Sequence, residues 1–449
     1  MINYFITLFL VFLVFLLIIS NKKNILSPFS VSNIFLLMAL AEVPYLFYLY
    51  NNPDEIHPYV IIHIKDLDGV FLEHLFYKFI FILISFIAII KFNPRGLILI
   101  NSFRINRISP VRINLIIIFF LLAMLLSYFL FLNAVGGFEY LFMNMHNKTK
   151  VVAGTSLYRN MFLTTGMLTL GFYIHHISIS KRKSRIKILF LLILILFVVS
   201  ILASYGERKN PIVVIAMVLI LWNFKIKQIN IFSYKNLFLF LIIVFFASLG
   251  PILRHKGAMD FYIGNPTDLF IDSAKNMIEL FRRFSEVDQS LFIYSHFDDY
   301  KKLWWGSSFS DLITGFIPSA WYYDKPPLDE GVYIYALAHF QDVSPPTPFH
   351  TMTPVGWPLS RVTAGYVNFG IFGVIVYAFL TGYILKYFYN VFRFSDYSPQ
   401  ATIMYVTLMV TNFGINNSYI LNNFMVLLIL LSLSFIVNML FNGKVNVSN

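Results

Sequence analysis

The sequence predicts an all-α polytopic membrane protein with about 11 transmembrane helices and one large, partly helical external loop. Two observations lead to this prediction. The chain of 449 residues is 58% hydrophobic and only 12% charged, whereas a soluble chain carries about 25% charged residues. Its apolar residues also come in runs of roughly 20, the length at which a helix crosses the hydrocarbon core of a bilayer.

Each apolar run is long enough, or nearly so, to cross a bilayer. The runs occupy residues 2–20, 29–49, 71–91, 113–133, 158–179, 188–205, 211–226, 236–254, 362–385, 401–417 and 420–440. No basic segment precedes the first run and no small-residue cleavage site follows it, so we expect a retained span rather than a cleaved signal. Residues 1–254 would form one transmembrane bundle (spans 1–8), residues 255–361 an external loop, and residues 362–449 a second bundle (spans 9–11).

The basic residues predict the orientation of these spans. Lys and Arg cluster in alternate short loops, most densely in residues 91–112 and 181–187. The positive-inside rule assigns these loops to the cytoplasm. The N-terminus would then lie outside the cytoplasm, the C-terminus in the cytoplasm and the 255–361 loop outside. The net charge of +12 therefore reflects topology, and we expect no nucleic-acid partner.

Several kinds of site have no motif in the chain. There is no Cys, which excludes disulfides, thiol nucleophiles and Cys metal sites. No P-loop, GxGxxG, HExxH or zinc spacing occurs. We therefore expect no metal and no cofactor, and the energy for any reaction has to arrive in an already activated substrate.

The 255–361 loop concentrates the polar chemistry of the chain. It holds 13 of the 22 acidic residues, four of the ten His and four of the five Trp, so we expect the chemistry there. Residues 266–295 are predicted to form a helix, because Asn-Pro-Thr precedes an apolar stripe. Arg282 and Arg283 lie within it, and they either pair with acidic neighbours such as Glu286 or face a membrane-proximal cavity.

Two proline-rich parts of this loop are predicted to be irregular. Prolines argue against a long helix in residues 303–331, where four aromatic side chains suit either the membrane interface or the flat faces of sugar rings. These are Trp304, Trp305, Trp321 and Tyr323. In residues 344–361, five prolines limit the conformations around His350, which is either structural or a catalytic base.

Two arginines near span ends are further candidates. Arg361, at the entry to the ninth span, either extends toward the interface or contacts substrate. Arg208 lies in a short hairpin that is predicted to be external, against the positive-inside rule. There, either Glu207 pairs with Arg208 or Lys209, or Arg208 points into a site that holds an anion.

Three features, in order, resemble those of a Wzy-type O-antigen or oligosaccharide repeat-unit polymerase. They are the Gly206-Glu207-Arg208 tip, the IP…KPP stretch of residues 317–327, and Thr353-Pro354 leading into the Asn-Phe-Gly span at residues 365–373. The similarity covers most of the chain. At Ser319 relatives often carry Arg, which puts an anion contact at this position in doubt.

The resemblance implies a glycosyltransferase that uses no cofactor. Its substrates would be oligosaccharide units linked through pyrophosphate to undecaprenol, presented at the outer leaflet of the inner membrane. The growing chain would leave its lipid pyrophosphate and join a hydroxyl of the next unit, giving O-antigen or another surface polysaccharide. A chain-length regulator and a flippase of the same pathway are the expected partners besides the bilayer.

The resemblance also implies roles for the candidate residues. Arginine suits a developing pyrophosphate charge, and the candidates near the outer face are Arg208, Arg254, Arg282, Arg283 and Arg361. His350 is the first choice as the base that takes the acceptor proton, followed by His296 or Glu207. The sugar would be held by Trp304, Trp305, Trp321 and Tyr323.

Three other functions stay open at the level of sequence. An O-antigen ligase has a related architecture. A lipid-linked oligosaccharide flippase or other transporter would carry charged residues inside its spans, which are few here. A polytopic scaffold without chemistry would not explain the clustered external arginines.

Overall fold

A computed structural model of the chain is entirely helical in the residues that it describes. These are residues 1–20, 29–104, 110–144, 151–152, 154–180, 185–204, 209–229, 233, 265, 267–269, 271–273, 285–315, 317, 321–357, 359–410 and 417–441. Within these ranges no strand occurs, which confirms the all-α prediction.

Seven of the described helices are long and apolar enough to cross a membrane. They are α1 (Ile2–Ser20), α2 (Val31–Asn51), α4 (Leu67–Lys91), α6 (Pro110–Ala134), α9 (Arg185–Ala203), α14 (Arg361–Phe394) and α16 (Asn417–Phe441). The chain is therefore a membrane protein. The other described helices are α3 (Pro58–Ile61), α5 (Leu97–Phe103), α7 (Phe138–Met143), α8 (Ser156–Ile179), α10 (Lys209–Lys225), α11 (Val287–His296), α12 (Phe309–Thr314), α13 (Gly331–Ala338) and α15 (Pro399–Val410).

The predicted count of eleven spans is not confirmed. Helices α8, α10 and α15 coincide with the predicted spans at 158–179, 211–226 and 401–417, but α10 and α15 are short and α8 carries Thr, Asn, Arg and His along its length. The predicted span at 236–254 lies outside the described residues.

The described chain divides into two compact units. The first comprises Met1–Pro94, Ile278–Tyr387 and Thr411–Phe424, and the second comprises Arg95–Met277, Phe388–Val410 and Met425–Asn449. The first unit therefore contains the described residues between 285 and 360 of the polar loop, here called the polar segment, whereas the few described residues between 265 and 273 belong to the second unit. Most of the predicted site residues lie in this unit.

In the first unit, helices α1, α2 and α4 pack against one another. Along α1, the side chains of Ile2, Ile6, Phe9, Leu13 and Leu16 are buried at intervals of three or four residues, which is one face of a helix. The opposite face exposes large apolar side chains, as expected where a membrane helix meets lipid rather than water.

The polar segment is attached to these spans through α11. This helix packs against α4, α3 and α13. The buried Asp288 carboxylate accepts a hydrogen bond from the Tyr45 hydroxyl (3.1 Å) and from the His57 backbone N–H (2.9 Å). The predicted continuous helix over 266–295 is wrong, because Glu286 adopts a left-handed conformation (φ 55°) directly before α11. The predicted irregularity of 303–331 and 344–361 is confirmed in the described residues, where α12 and α13 are short.

Helix α14 is broken inside the Asn-Phe-Gly sequence. Phe369 (φ −143°, ψ 19°) and Gly370 (φ 59°, ψ −142°) leave helical geometry, and the Gly370 conformation is accessible essentially only to glycine. Gly365 and Gly373 approach so closely across the break that a methyl group on Gly373 would collide with the Gly365 carbonyl. Glycines therefore fix the shape of this helix.

The second unit is built around α8. Helices α6, α9, α10 and α15 all pack against it. A Cβ at Gly166 of α8 would lie only 2.9 Å from the Met124 sulfur of α6, and one at Gly171 only 2.7 Å from Pro399 Cβ. Small residues thus allow close helix contacts, as is common within membranes.

We predict that Gly373→Ala destabilises the protein, because the added methyl group forces the two halves of α14 apart, at a cost of about 1–3 kcal/mol. The apparent melting temperature of the purified protein in detergent measures this effect. Phe372→Ala is the matched control, since the neighbouring side chain is 75% exposed. An unchanged melting temperature in Gly373→Ala would contradict the described break.

Candidate functional site

The polar segment forms a cavity of about 430 Å³ in the first unit. Its lining combines an imidazole, two ammonium groups, an indole, a hydroxyl and a carboxylate. These belong to His296, Lys301, Lys302, Trp304, Ser307 and Asp342. Binding sites for small molecules usually have volumes of about 300–1,000 Å³, so the cavity is large enough for a polar ligand of several rings or for part of an oligosaccharide.

His296 enters this cavity at the end of α11. Its ring stacks on Phe292, with 5.4 Å between the ring centroids, and its backbone carbonyl accepts a hydrogen bond from Lys302 Nζ (2.8 Å). Burial, together with the nearby charge of Lys302, lowers the pKa of His296 to about 4. The imidazole is therefore neutral at physiological pH and can accept a proton.

Trp304 is held in place by both its backbone and its ring. The backbone N–H of Trp304 donates to the backbone carbonyl of Val367 (2.9 Å), just before the break in α14. Its indole lies edge-on to the Tyr333 ring at 5.7 Å, and the Tyr333 hydroxyl donates to the buried Asp311 carboxylate (3.0 Å). This network fixes the indole as one wall of the cavity.

A second, smaller cavity of about 100 Å³ is amphipathic. Its charged lining comes from Glu42 of α2, Lys78 of α4, Glu286 and Arg361. Its apolar lining comes from Phe35, Met38, Ala39, Phe81, Ile82 and Val362. A ligand with a charged head and an apolar tail matches such a surface.

The charges of this cavity are organised by Glu42. Lys78 Nζ lies 2.8 Å and 2.6 Å from its two carboxylate oxygens, and His74 Nε2 lies 3.3 Å from Oε1. These three residues lie within apolar helices, where ionisable groups are costly and commonly mark functional sites. An ammonium group has three N–H donors, so Lys78 keeps one donor beyond the two that Glu42 accepts.

Arg361 is the one predicted pyrophosphate-binding arginine among the described residues. It begins α14, is half-buried and lines the amphipathic cavity. The Glu286 carboxylate attracts its guanidinium electrostatically. Since a guanidinium carries five N–H donors, a carboxylate partner does not exhaust its capacity to bind an anion.

Two buried carboxyl groups in the polar segment were not predicted as site residues. Burial raises the pKa of Asp311 to about 6, although the Tyr333 and Ser310 hydroxyls lower it. Burial is the main reason why the pKa of Glu330 is raised to about 7. The charges of Asp329 and Asp311 also raise this pKa, whereas hydrogen bonding by the Ser308 and Asn368 side chains lowers it. Both groups therefore titrate close to physiological pH.

The remaining predicted residues of the polar segment lie at its surface. The His350 ring lies 4.4 Å from the Tyr323 ring, and its Nδ1 is 3.9 Å from the Asp324 carboxylate. Trp305 and Trp321 are also exposed, and Trp305 Nε1 donates to the Tyr300 carbonyl (3.2 Å). Among the predicted sugar-binding and base residues that the structure describes, Trp304 and His296 line this cavity together.

Five predicted site residues lie outside the described residues. They are Glu207, Arg208, Arg254, Arg282 and Arg283. Their roles stay predictions. Within the described ranges, no group of three or more His, Asp or Glu is arranged to hold a metal ion.

Sequence reasoning missed Glu42, Lys78, Asp311 and Glu330. A signal existed for the first two, because a carboxylate and an ammonium inside apolar runs require partners. No signal existed for Asp311 and Glu330, which resemble ordinary loop acids in a segment rich in them. Their burial depends on long-range contacts.

Comparisons with protein families, with curated proteins and with solved structures found no match to this chain.

We predict that Glu330 makes stability depend on pH. A carboxyl group whose pKa is raised from 4.5 to about 7 binds its proton more tightly in the folded state. The folded state therefore loses about 3 kcal/mol of stability as the pH rises from 4.5 to 7. Glu330→Gln stays neutral, so its stability should fall less over this range.

The measurement is the apparent melting temperature against pH in choline chloride, whose organic cation is too large to bind among buried side chains. Asp54→Asn removes an exposed carboxylate and should keep the wild-type slope. If Glu330→Gln shows the wild-type slope as well, Glu330 does not titrate in this range.

Proposed function

We propose that this protein is a glycosyltransferase that polymerises oligosaccharide units linked through pyrophosphate to undecaprenol. The observation that carries the proposal is the amphipathic cavity. It places Lys78 and Arg361 beside an apolar wall formed mainly by membrane helices, which is the combination that a prenyl pyrophosphate requires. The resemblance of the sequence to Wzy-type polymerases agrees with this reading.

Lys78 and Arg361 suit the leaving group of this reaction. As the glycosyl bond to pyrophosphate breaks, negative charge develops on the departing oxygen. Fixed cations in a partly desolvated site stabilise such charge without reorganisation. Glu42 holds the ammonium group of Lys78 in position through two short contacts, so the cation is oriented before the substrate arrives.

The larger cavity suits the saccharide part of the substrates. Indole faces bind the apolar side of sugar rings, and Trp304 is a fixed wall there. Charged and hydroxyl groups around it provide partners for sugar hydroxyls. The proposed sugar site thus consists of Trp304 and its polar neighbours, and the exposed Trp305, Trp321 and Tyr323 could contact more distant parts of a long chain.

In the proposed reaction, a hydroxyl oxygen of the acceptor unit bonds to the anomeric carbon of the donor chain. The bond from that carbon to the pyrophosphate oxygen breaks, and undecaprenyl pyrophosphate leaves with the electron pair. The acceptor proton passes to a base. The position of His296 in the cavity favours it over the exposed His350.

The setting of this reaction follows from the distribution of basic residues. The positive-inside rule assigns the polar segment to the periplasmic side of a bacterial inner membrane. Lipid-linked units would reach it through a flippase, and a chain-length regulator would act on the product. The ligase reading shares the chemistry but uses a lipid A core as acceptor.

A transporter of lipid-linked oligosaccharides is a second candidate function. The charged group of Glu42, His74 and Lys78 within apolar helices favours it, because such groups commonly line translocation pathways. The two functions differ in their products. A transporter moves the lipid-linked unit unchanged, whereas a polymerase forms a new glycosidic bond and releases undecaprenyl pyrophosphate.

We predict that Arg361→Ala lowers kcat/KM for polymerisation by about 10²–10³-fold, because one preorganised cation is lost from the leaving-group site. Gel analysis of polymer length and assay of the purified enzyme measure this loss. Arg393→Ala is the matched control, since Arg393 is an exposed arginine near the other end of α14. Wild-type kinetics in a folded Arg361→Ala protein would exclude Arg361 from the site.

We predict that His296→Gln lowers kcat by about 10²–10⁴-fold, the usual range for loss of a general base, with little change in KM. His350→Gln is the comparator, and it should retain most of its turnover. The reverse pattern would assign the base to His350. Melting temperatures of both variants check that neither is unfolded.

A further inference from the structure

Three buried side chains of the first unit carry oxygen atoms with no hydrogen bond of good geometry. They are both carboxylate oxygens of Glu330, the side-chain carbonyl of Asn417 and the hydroxyl of Tyr377, although the Ser308 and Asn368 side chains are close enough to Glu330 to interact with it. Glu330 and Asn417 are completely buried, and Tyr377 is 3% exposed. Buried polar atoms almost always have partners, either protein groups or a bound water or ion, so these atoms together mark a place where a water or an ion binds.

Ser308 joins two of these groups. Its carbonyl accepts a hydrogen bond from Asn417 Nδ2, and its side chain adjoins Glu330. The third group, the Tyr377 hydroxyl, interacts electrostatically with the Glu330 carboxylate. The Ser308 hydroxyl donates to Asn368 Oδ1 (3.0 Å), and Asn368 Nδ2 donates to the Ala364 carbonyl (3.0 Å). Most nearby donors are therefore already used.

The broken helix adds to this arrangement. Asn368 directly precedes the non-helical residues Phe369 and Gly370. Discontinuous membrane helices form cation sites in many transporters, where unwound backbone and side-chain oxygens replace the hydration shell. Here a break of this kind adjoins a buried carboxylate that lacks a partner, which is a second and independent indication of a ligand.

We propose that Glu330, Asn417 and Tyr377 bind an alkali cation of the sodium class beside the break in α14. All the unsatisfied atoms can act as acceptors, so a positive ion satisfies them together while Glu330 stays ionised. The neighbouring Asp311 carboxylate already accepts from Tyr333 and Ser310. One uncompensated negative charge and neutral oxygens match a monovalent ion better than a divalent one.

The test measures cation-dependent stability of the full-length protein in detergent at about pH 8, where a carboxyl group with a pKa of about 7 is ionised. Sodium chloride replaces choline chloride at constant ionic strength. Binding to the folded state should raise the apparent melting temperature by about 2 °C for each tenfold increase in sodium above the dissociation constant. Lithium and potassium chloride then show the size preference.

Substitutions at the proposed ligands test whether the sodium effect on the melting temperature arises at this cation site. Glu330→Gln should raise the sodium concentration for half of the effect by at least tenfold, and Tyr377→Phe should raise it less. Asp54→Asn, which removes an exposed carboxylate, should leave it unchanged. If Glu330→Gln fails to fold, the wild-type protein at about pH 5 replaces it, because Glu330 is then protonated and the sodium effect should disappear.

Identical melting curves in sodium and choline chloride would overturn the proposal, as would a sodium effect that persists in Glu330→Gln or at about pH 5. The measurement uses no saccharide substrate. Its failure therefore leaves the proposed glycosyl transfer untouched, and failure of glycosyl transfer leaves the cation site untouched.

Discussion

The break in α14 at Phe369 and Gly370 is the constraint on which the polar segment depends. A continuous helix would bond each carbonyl to the N–H four residues later, whereas here the Val367 carbonyl accepts the N–H of Trp304. That contact fixes Trp304 against Tyr333, whose hydroxyl donates to Asp311, and so fixes one wall of the larger cavity. The same break places Asn368 beside Ser308 and Glu330. Glycines at 365, 370 and 373 make the geometry possible.

Charged side chains also lie inside the apolar helices α2 and α4. The Glu42 carboxylate contacts both Lys78 and His74, and the carboxylate and the ammonium group would each be costly in hydrocarbon without the other. Such a group stabilises the fold little compared with apolar packing. Its presence is easier to explain by a charged substrate that has to reach the membrane surface, and Arg361 and Glu286 share the same cavity.

The sequence predicted the helices well, because long apolar runs leave few alternatives in a bilayer. Ten of the predicted spans coincide with described helices, although only seven helices meet the length and hydropathy of a span. The break at Glu286 was missed because an amphipathic pattern can continue across one left-handed residue. Of the residues predicted from their type, Trp304 and His296 line the larger cavity and Arg361 lines the amphipathic cavity, and their roles stay predictions. Asp311 and Glu330 could not be found, since their burial depends on contacts with residues far away in sequence.

The central claim is that the protein joins lipid-linked oligosaccharides at a membrane-surface site. The most direct measurement supplies the purified protein in lipid nanodiscs with a radiolabelled oligosaccharide on undecaprenyl pyrophosphate and separates the products by size. We predict products of two and more oligosaccharide units, with one undecaprenyl pyrophosphate released for each new glycosidic bond. Labelled substrate that stays as single units while the protein remains folded would contradict it.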